Sequence, residues 1–101
     1  MSYRINVGEN ARRQIRTAQD WWLRNRSKAP LAFAEDIESA LDLLEAVPGA
    51  GEPVRSTKLT GIRRLLLSRL RYFLYYAVDN DSRTIEVVAL WHTRRGKPPR
   101  L

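Results

Sequence analysis

The chain has 101 residues, no cysteine and one histidine, and its 18 Lys/Arg against 11 Asp/Glu leave a net charge of +7 at neutral pH. That length suits one domain around one core and is too short for a second lobe closing over a deep substrate cavity. The missing cysteines exclude disulfides and thiolate metal sites and make a reducing cytoplasm the natural compartment, and one histidine excludes a multi-histidine metal site.

In chain order, Tyr3, Ile5 and Val7 alternate with Arg4 and Asn6, which predicts a short strand with one buried face. Gly8 breaks it, and Glu9 or Asn10 opens a helix. Ala11, Ile15, Ala18 and Trp22 form a helical stripe that runs to about residue 25, with Arg12, Arg13 and Arg16 on the other face. A turn follows over residues 27–30, and Pro30 is expected as the first residue of a second helix. That helix buries Phe33 or Ala34, Ile37, Leu41 and Leu44, with Ala40 and Val47 beside them. Glu35, Asp36, Glu38, Asp42 and Glu45 take its solvent side. The short link makes the pair, near residues 9–27 and 30–47, an antiparallel hairpin.

Pro48-Gly49-Ala50-Gly51 ends the second helix and starts a loop reaching about Gly61. Strands are predicted over 62–69, 71–79 and 84–92, the last two joined by a turn at Asn80-Asp81-Ser82. In the last strand Val87, Ala89 and Trp91 alternate with Glu86, Val88 and Leu90. Short links make these three strands an antiparallel meander, which the first strand joins after the helical crossover. The fold class is therefore α+β: β-α-α-β-β-β, a mainly antiparallel four-stranded sheet packed on a helical hairpin. Residues 1–95 form the domain, and residues 96–101, with two prolines, an extended tail.

The charge is uneven. Residues 1–54 carry seven Lys/Arg and eight Asp/Glu; residues 55–101 carry eleven and three, hence −1 and +8. Such asymmetry points to an acidic partner met by one face. Arginine dominates lysine, and its fork suits phosphate and carboxylate. No window approaches the roughly 18 apolar residues of a membrane span, and the N-terminus lacks the apolar stretch of a signal peptide. No cofactor, metal or membrane partner is expected.

Four segments carry a resemblance: Pro48-Gly49-Ala50-Gly51 at the helix end; Lys58-Leu59-Thr60-Gly61 with Arg63 after it; Arg71-Tyr72-Phe73-Leu74-Tyr75-Tyr76; and His92 followed by Arg94-Arg95. In this order they resemble the RelE/ParE superfamily of toxins from bacterial type II toxin–antitoxin modules, over almost the whole chain. The resemblance implies a cytoplasmic growth inhibitor held inactive by a cognate antitoxin. RelE-like members cleave mRNA on the ribosome, and ParE-like members poison DNA gyrase.

Metal-free RNA cleavage needs proton transfer and charge stabilisation at phosphorus. His92 is the candidate acid or base, Arg63, Arg64, Arg69, Arg71, Arg94 and Arg95 are candidate stabilisers, and Lys58 suits either role. Against that reading, no tyrosine follows Tyr76, and the position near Leu67 or Ser68 where the nuclease branch carries its arginine is only flanked by Arg64 and Arg69. The His92-Thr93-Arg94-Arg95 ending is similar to the ParE branch. The leading expectation is a non-enzymatic gyrase inhibitor that binds its target through Arg69, Arg71, Arg94, Arg95 and Lys97; the alternative is a ribosome-dependent endonuclease. The plainer roles are a backbone-bonded strand-end histidine for His92, sheet packing for Tyr72, Tyr75 and Tyr76, core or antitoxin contacts for Trp21, Trp22 and Trp91, and a solvated face for the arginines.

Overall fold

A computed structural model describes residues 2–55 and 58–101. The chain runs β1 (Arg4–Val7), α1 (Glu9–Asn25), α2 (Ala32–Ala46), a 3₁₀ turn (Pro48–Ala50), β2 (Glu52–Pro53), β3 (Ile62–Leu67), β4 (Tyr72–Asp79) and β5 (Thr84–His92). The strands form one sheet in the order β1-β5-β4-β3-β2. β1 is parallel to β5, and the other pairings are antiparallel. Among the described residues the sheet thus has five strands, not the four expected. The extra one is a two-residue edge in which Glu52 and Pro53 face Arg64 and Arg63, too short to show a period in the sequence. The loop expected up to Gly61 contains this strand and the 3₁₀ turn; its residues 56 and 57 lie outside the described set.

Both helices cover one sheet face. α1 turns Ala11, Ala18 and Trp22 inward, and α2 turns Phe33, Ile37, Ala40 and Leu44 inward. They meet Leu67, Leu74, Tyr76, Ile85, Val87 and Leu90 in one core. The opposite face carries a smaller cluster of Ile62, Tyr75 and Ala89 flanked by Phe73 and Trp91. α2 begins at Ala32, because Pro30 stays in the preceding turn. Val47 is its C-cap and is 49% exposed, so it does not join the apolar stripe.

The expected alternation of β5 fails at one point. Tyr75 faces Ala89 but Tyr76 faces Val87, so Val88 is an extra residue, a β-bulge. Beyond it every side chain changes face. Val87 and Leu90 share the helix-side core, while Ala89 joins the cluster on the open face with Trp91 beside it. β1 pairs with β5 only as far as Val87. Past that point Gln14 of α1 covers the edge, its Oε1 accepting the Leu90 N–H at 2.9 Å.

The connection between α2 and β3 is clamped from the sheet. The buried Tyr76 hydroxyl donates to the Pro48 carbonyl and accepts the Gly51 N–H, both at 2.8 Å. Arg63 donates to the Gly51 carbonyl at 2.6 Å and the Gly49 carbonyl at 3.3 Å. Gly51 sits so close that a Cβ there would lie 2.6 Å from the Arg64 carbonyl oxygen and 2.7 Å from the Tyr76 hydroxyl. Residues 96–101, expected as an extended tail, hold no helix or strand. Trp91 Nε1 donates to the Lys97 carbonyl at 2.7 Å, and Leu101 packs on the open-face cluster.

Replacing Tyr76 by Phe leaves the buried Gly51 N–H without its acceptor and is expected to lower stability by about 1–3 kcal/mol. Gly51→Ala, which must displace backbone, is expected to cost at least as much. Burial raises the Tyr76 pKa, only partly opposed by its bond to Gly51 and the charge of Arg63. The neutral phenol's contribution is therefore complete below its unfolded pKa of about 10 and is lost as pH rises through the folded value. Urea denaturation at neutral pH and above pH 10 should show that loss in the wild type, reduced in Tyr76→Phe.

Candidate functional site

One end of the sheet gathers the basic residues singled out from sequence. The tight link from β3 to β4 puts Arg71 at φ 63°, in the left-handed region, with its N–H on the Leu67 carbonyl at 2.8 Å. Its own carbonyl accepts the Thr93 N–H at 3.0 Å, tying this turn to the end of β5. There the chain turns again, as the Arg95 N–H reaches the His92 carbonyl at 3.1 Å. Arg71, Arg94 and Arg95 are thereby brought to one end, all exposed. Among the described residues none of the three has an ion-pair partner.

His92 faces Tyr72 across the ladder, their rings edge to face with centroids 4.9 Å apart. Its Nδ1 accepts the Arg94 backbone N–H at 3.0 Å. That bond assigns the proton to Nε2 and holds the turn that presents Arg94. Aromatic contacts continue inward from Tyr72 to Phe33 and from Phe33 to Trp22, each with centroids 6.4 Å apart. Burial raises the Tyr72 pKa, and the charge of Arg95 opposes the rise.

The remaining candidates sit elsewhere or are already engaged. Arg69 holds Asp36 through two bonds of 2.6 and 2.9 Å and reaches the Ala32 carbonyl at 3.4 Å, so it ties the end of β3 to α2. The Asp36 bond raises its pKa. Arg64 lies on the open face, paired with Glu52, within 3.3 Å of the Tyr75 hydroxyl and 4.1 Å from the Phe73 ring centroid. Its pKa is raised by Tyr75 first and Glu52 second. Arg63 belongs to the clamp, Lys58 is exposed ahead of β3, and Lys97 is exposed and supplies its carbonyl to Trp91.

Of the nuclease candidates, Arg71, Arg94 and Arg95 thus come to the same end as His92, whereas Arg63 and Arg64 lie further along the sheet. Arg63 pairs with Tyr76, four residues along β4 from the Tyr72–His92 pair, a separation of about 13 Å. The structure also adds residues to the basic end. Arg26 lies over Trp21 at 5.5 Å and Trp22 at 6.0 Å, and Arg95 over Trp91 at 4.1 Å. Trp21 is 44% exposed whereas Trp22 is 8% exposed. Adjacent helical residues cannot both face the core, and Arg26 is one turn past Trp22; that spacing was the signal for this cluster.

A two-helix hairpin on one face of a meander sheet, with the first strand added in parallel, is the fold of the RelE/ParE toxins. A model of the ParE toxin of type II toxin–antitoxin systems, parDE, matches residues 5–96, and the chain belongs to that family. Three solved structures share the fold. The chromosomal ParDE system from P. aeruginosa matches at TM-score 0.73 and 19% identity, covering 92% of this chain and 98% of that one. The RelBE2 toxin–antitoxin complex from Mycobacterium tuberculosis matches at 0.63 and 24%, covering 91% and 99%. A free-state mutant of the E. coli toxin RelE matches at 0.55 and 17%, covering 93% and 86%. A search of curated proteins finds no match.

His92→Ala removes one hydrogen bond and one ring contact at the rim of the core. It is expected to lower stability by about 1–2 kcal/mol and leave the fold intact. Urea denaturation with circular dichroism checks this, and His92→Phe should restore the ring's share only.

Proposed function

We propose that this protein is a growth-arresting toxin that binds DNA gyrase through the basic end of its sheet, and that a cognate antitoxin neutralises it in the cytoplasm. One observation carries the reading: Arg71, Arg94 and Arg95 are exposed together with no ion-pair partner among the described residues, while His92 gives its Nδ1 to the Arg94 backbone N–H and Arg63 is held by the Gly49 and Gly51 carbonyls. Membership in the ParE toxin family agrees with it. The protein acts by binding, so its residues position and attract; they do not transfer protons. Long-range attraction to an acidic surface raises the encounter rate, and salt weakens it.

The antitoxin needs apolar surface to cover. Leu31, Leu43, Val47 and Leu66 are 68, 43, 49 and 51% exposed. Leu43 and Leu66 line one shallow groove between α2 and β3. An amphipathic antitoxin segment laid in that groove would cover both.

With purified gyrase and supercoiled plasmid, the protein is expected to accumulate cleaved-DNA complexes, and raised salt should suppress them. Codon-positioned cuts in mRNA on translating ribosomes, with no plasmid cleavage, would instead establish the endonuclease. Co-expression with the product of the adjacent gene should yield a complex of higher Tm than the toxin alone.

A further inference from the structure

Two adjoining grooves open where α1 passes the end of β4 and β5, with volumes of ≈ 400 and ≈ 380 Å³. They share Trp21, Tyr72 and His92. Arg26 and Arg69 stand on one side, and Arg13 and Arg95 on the other. No carboxylate lines either groove among the described residues. Trp22 is fixed by its Nε1 bond to the Ala29 carbonyl at 2.8 Å, so the wall behind Trp21 is rigid. Trp21 is 44% exposed, with Arg26 5.5 Å from its ring centroid, and no group among the described residues accepts from His92 Nε2. The site thus offers aromatic rings, an imidazole nitrogen and a rim of cations.

We infer that this groove binds single-stranded DNA, stacking a base on Trp21 and placing the flanking phosphates against Arg26 and Arg95. Sequence-tolerant binding of single strands combines a basic track with aromatic platforms. Here the track continues from Arg95 to Arg94 and Arg71 at the same end of the sheet. An acidic peptide would satisfy the arginines but leave the Trp21 ring unused, whereas a duplex would hide its bases from it. The inference rests on the gyrase reading, which makes DNA and not RNA the nucleic acid at hand. It would give the toxin a hold on the nucleic acid as well as on the protein.

The test needs no gyrase, so its outcome is separate from that of the plasmid assay. The anisotropy of fluorescein-labelled oligothymidylate is titrated with the purified protein at low salt. Binding is expected, with Trp21→Ala weaker by about tenfold, the usual size of one base–aromatic stack. Trp21→Phe should retain most of the affinity. An abasic strand of equal charge should bind the wild type as weakly as oligothymidylate binds Trp21→Ala, and this arm keeps the test open should that variant fail to fold. No binding, equal affinity for the abasic strand, or tighter binding of oligouridylate would each overturn the proposal.

Discussion

The single inserted residue at Val88 decides which chemistry this protein can present. Without it, strict alternation would put His92 on the open face with Glu86, and Ala89 and Trp91 under the helices with Val87. With it, Leu90 enters the helix-side core, His92 meets Tyr72, and Trp91 faces outward beneath Arg95. On the other edge of β5, just past the end of β1, Gln14 from α1 takes the Leu90 N–H. The helix that supplies this acceptor also supplies Trp21 and Arg26. Fold and site are therefore joined at one irregularity of one strand.

A second constraint divides the arginines by what they touch. Arg63 is held by two carbonyls, Arg64 by Glu52 and Tyr75, and Arg69 by Asp36. These three fasten the connection after α2, the edge strand and α2 itself onto the sheet. Arg71, Arg94 and Arg95 are held through their backbones, by the turn bonds to Leu67, Thr93 and His92, and make no side-chain bond to a carboxylate among the described residues. Their guanidinium groups are left to solvent or to a ring face. Positive potential consequently concentrates at the end where the chain spends backbone bonds and no carboxylates.

Much of this was legible in the sequence. The helices announced themselves by stripes at Ala11, Ala18 and Trp22 and at Phe33, Ile37 and Leu44, and β5 spans the predicted residues from Thr84 to His92. Parts that depend on distant partners were not. β2 exists only because Arg63 and Arg64 lie beside Glu52 and Pro53. The bulge has no local signature, since Val87, Val88 and Ala89 all suit a strand. Which arginines are engaged depends on groups up to 37 positions away, as with Arg69 and Ala32. Spacing told that Trp21 and Trp22 must part, but not that Trp21 would open onto the end of β5.

The central claim is that the unpaired arginines, and no histidine chemistry, give the protein its activity. Inducible expression in growing cells, with folding verified by circular dichroism, measures this directly. Growth arrest should survive largely intact in His92→Ala and vanish when Arg71, Arg94 and Arg95 are changed together to Ala. Full arrest by the triple variant with loss in His92→Ala would contradict the account and put acid–base cleavage of RNA in its place.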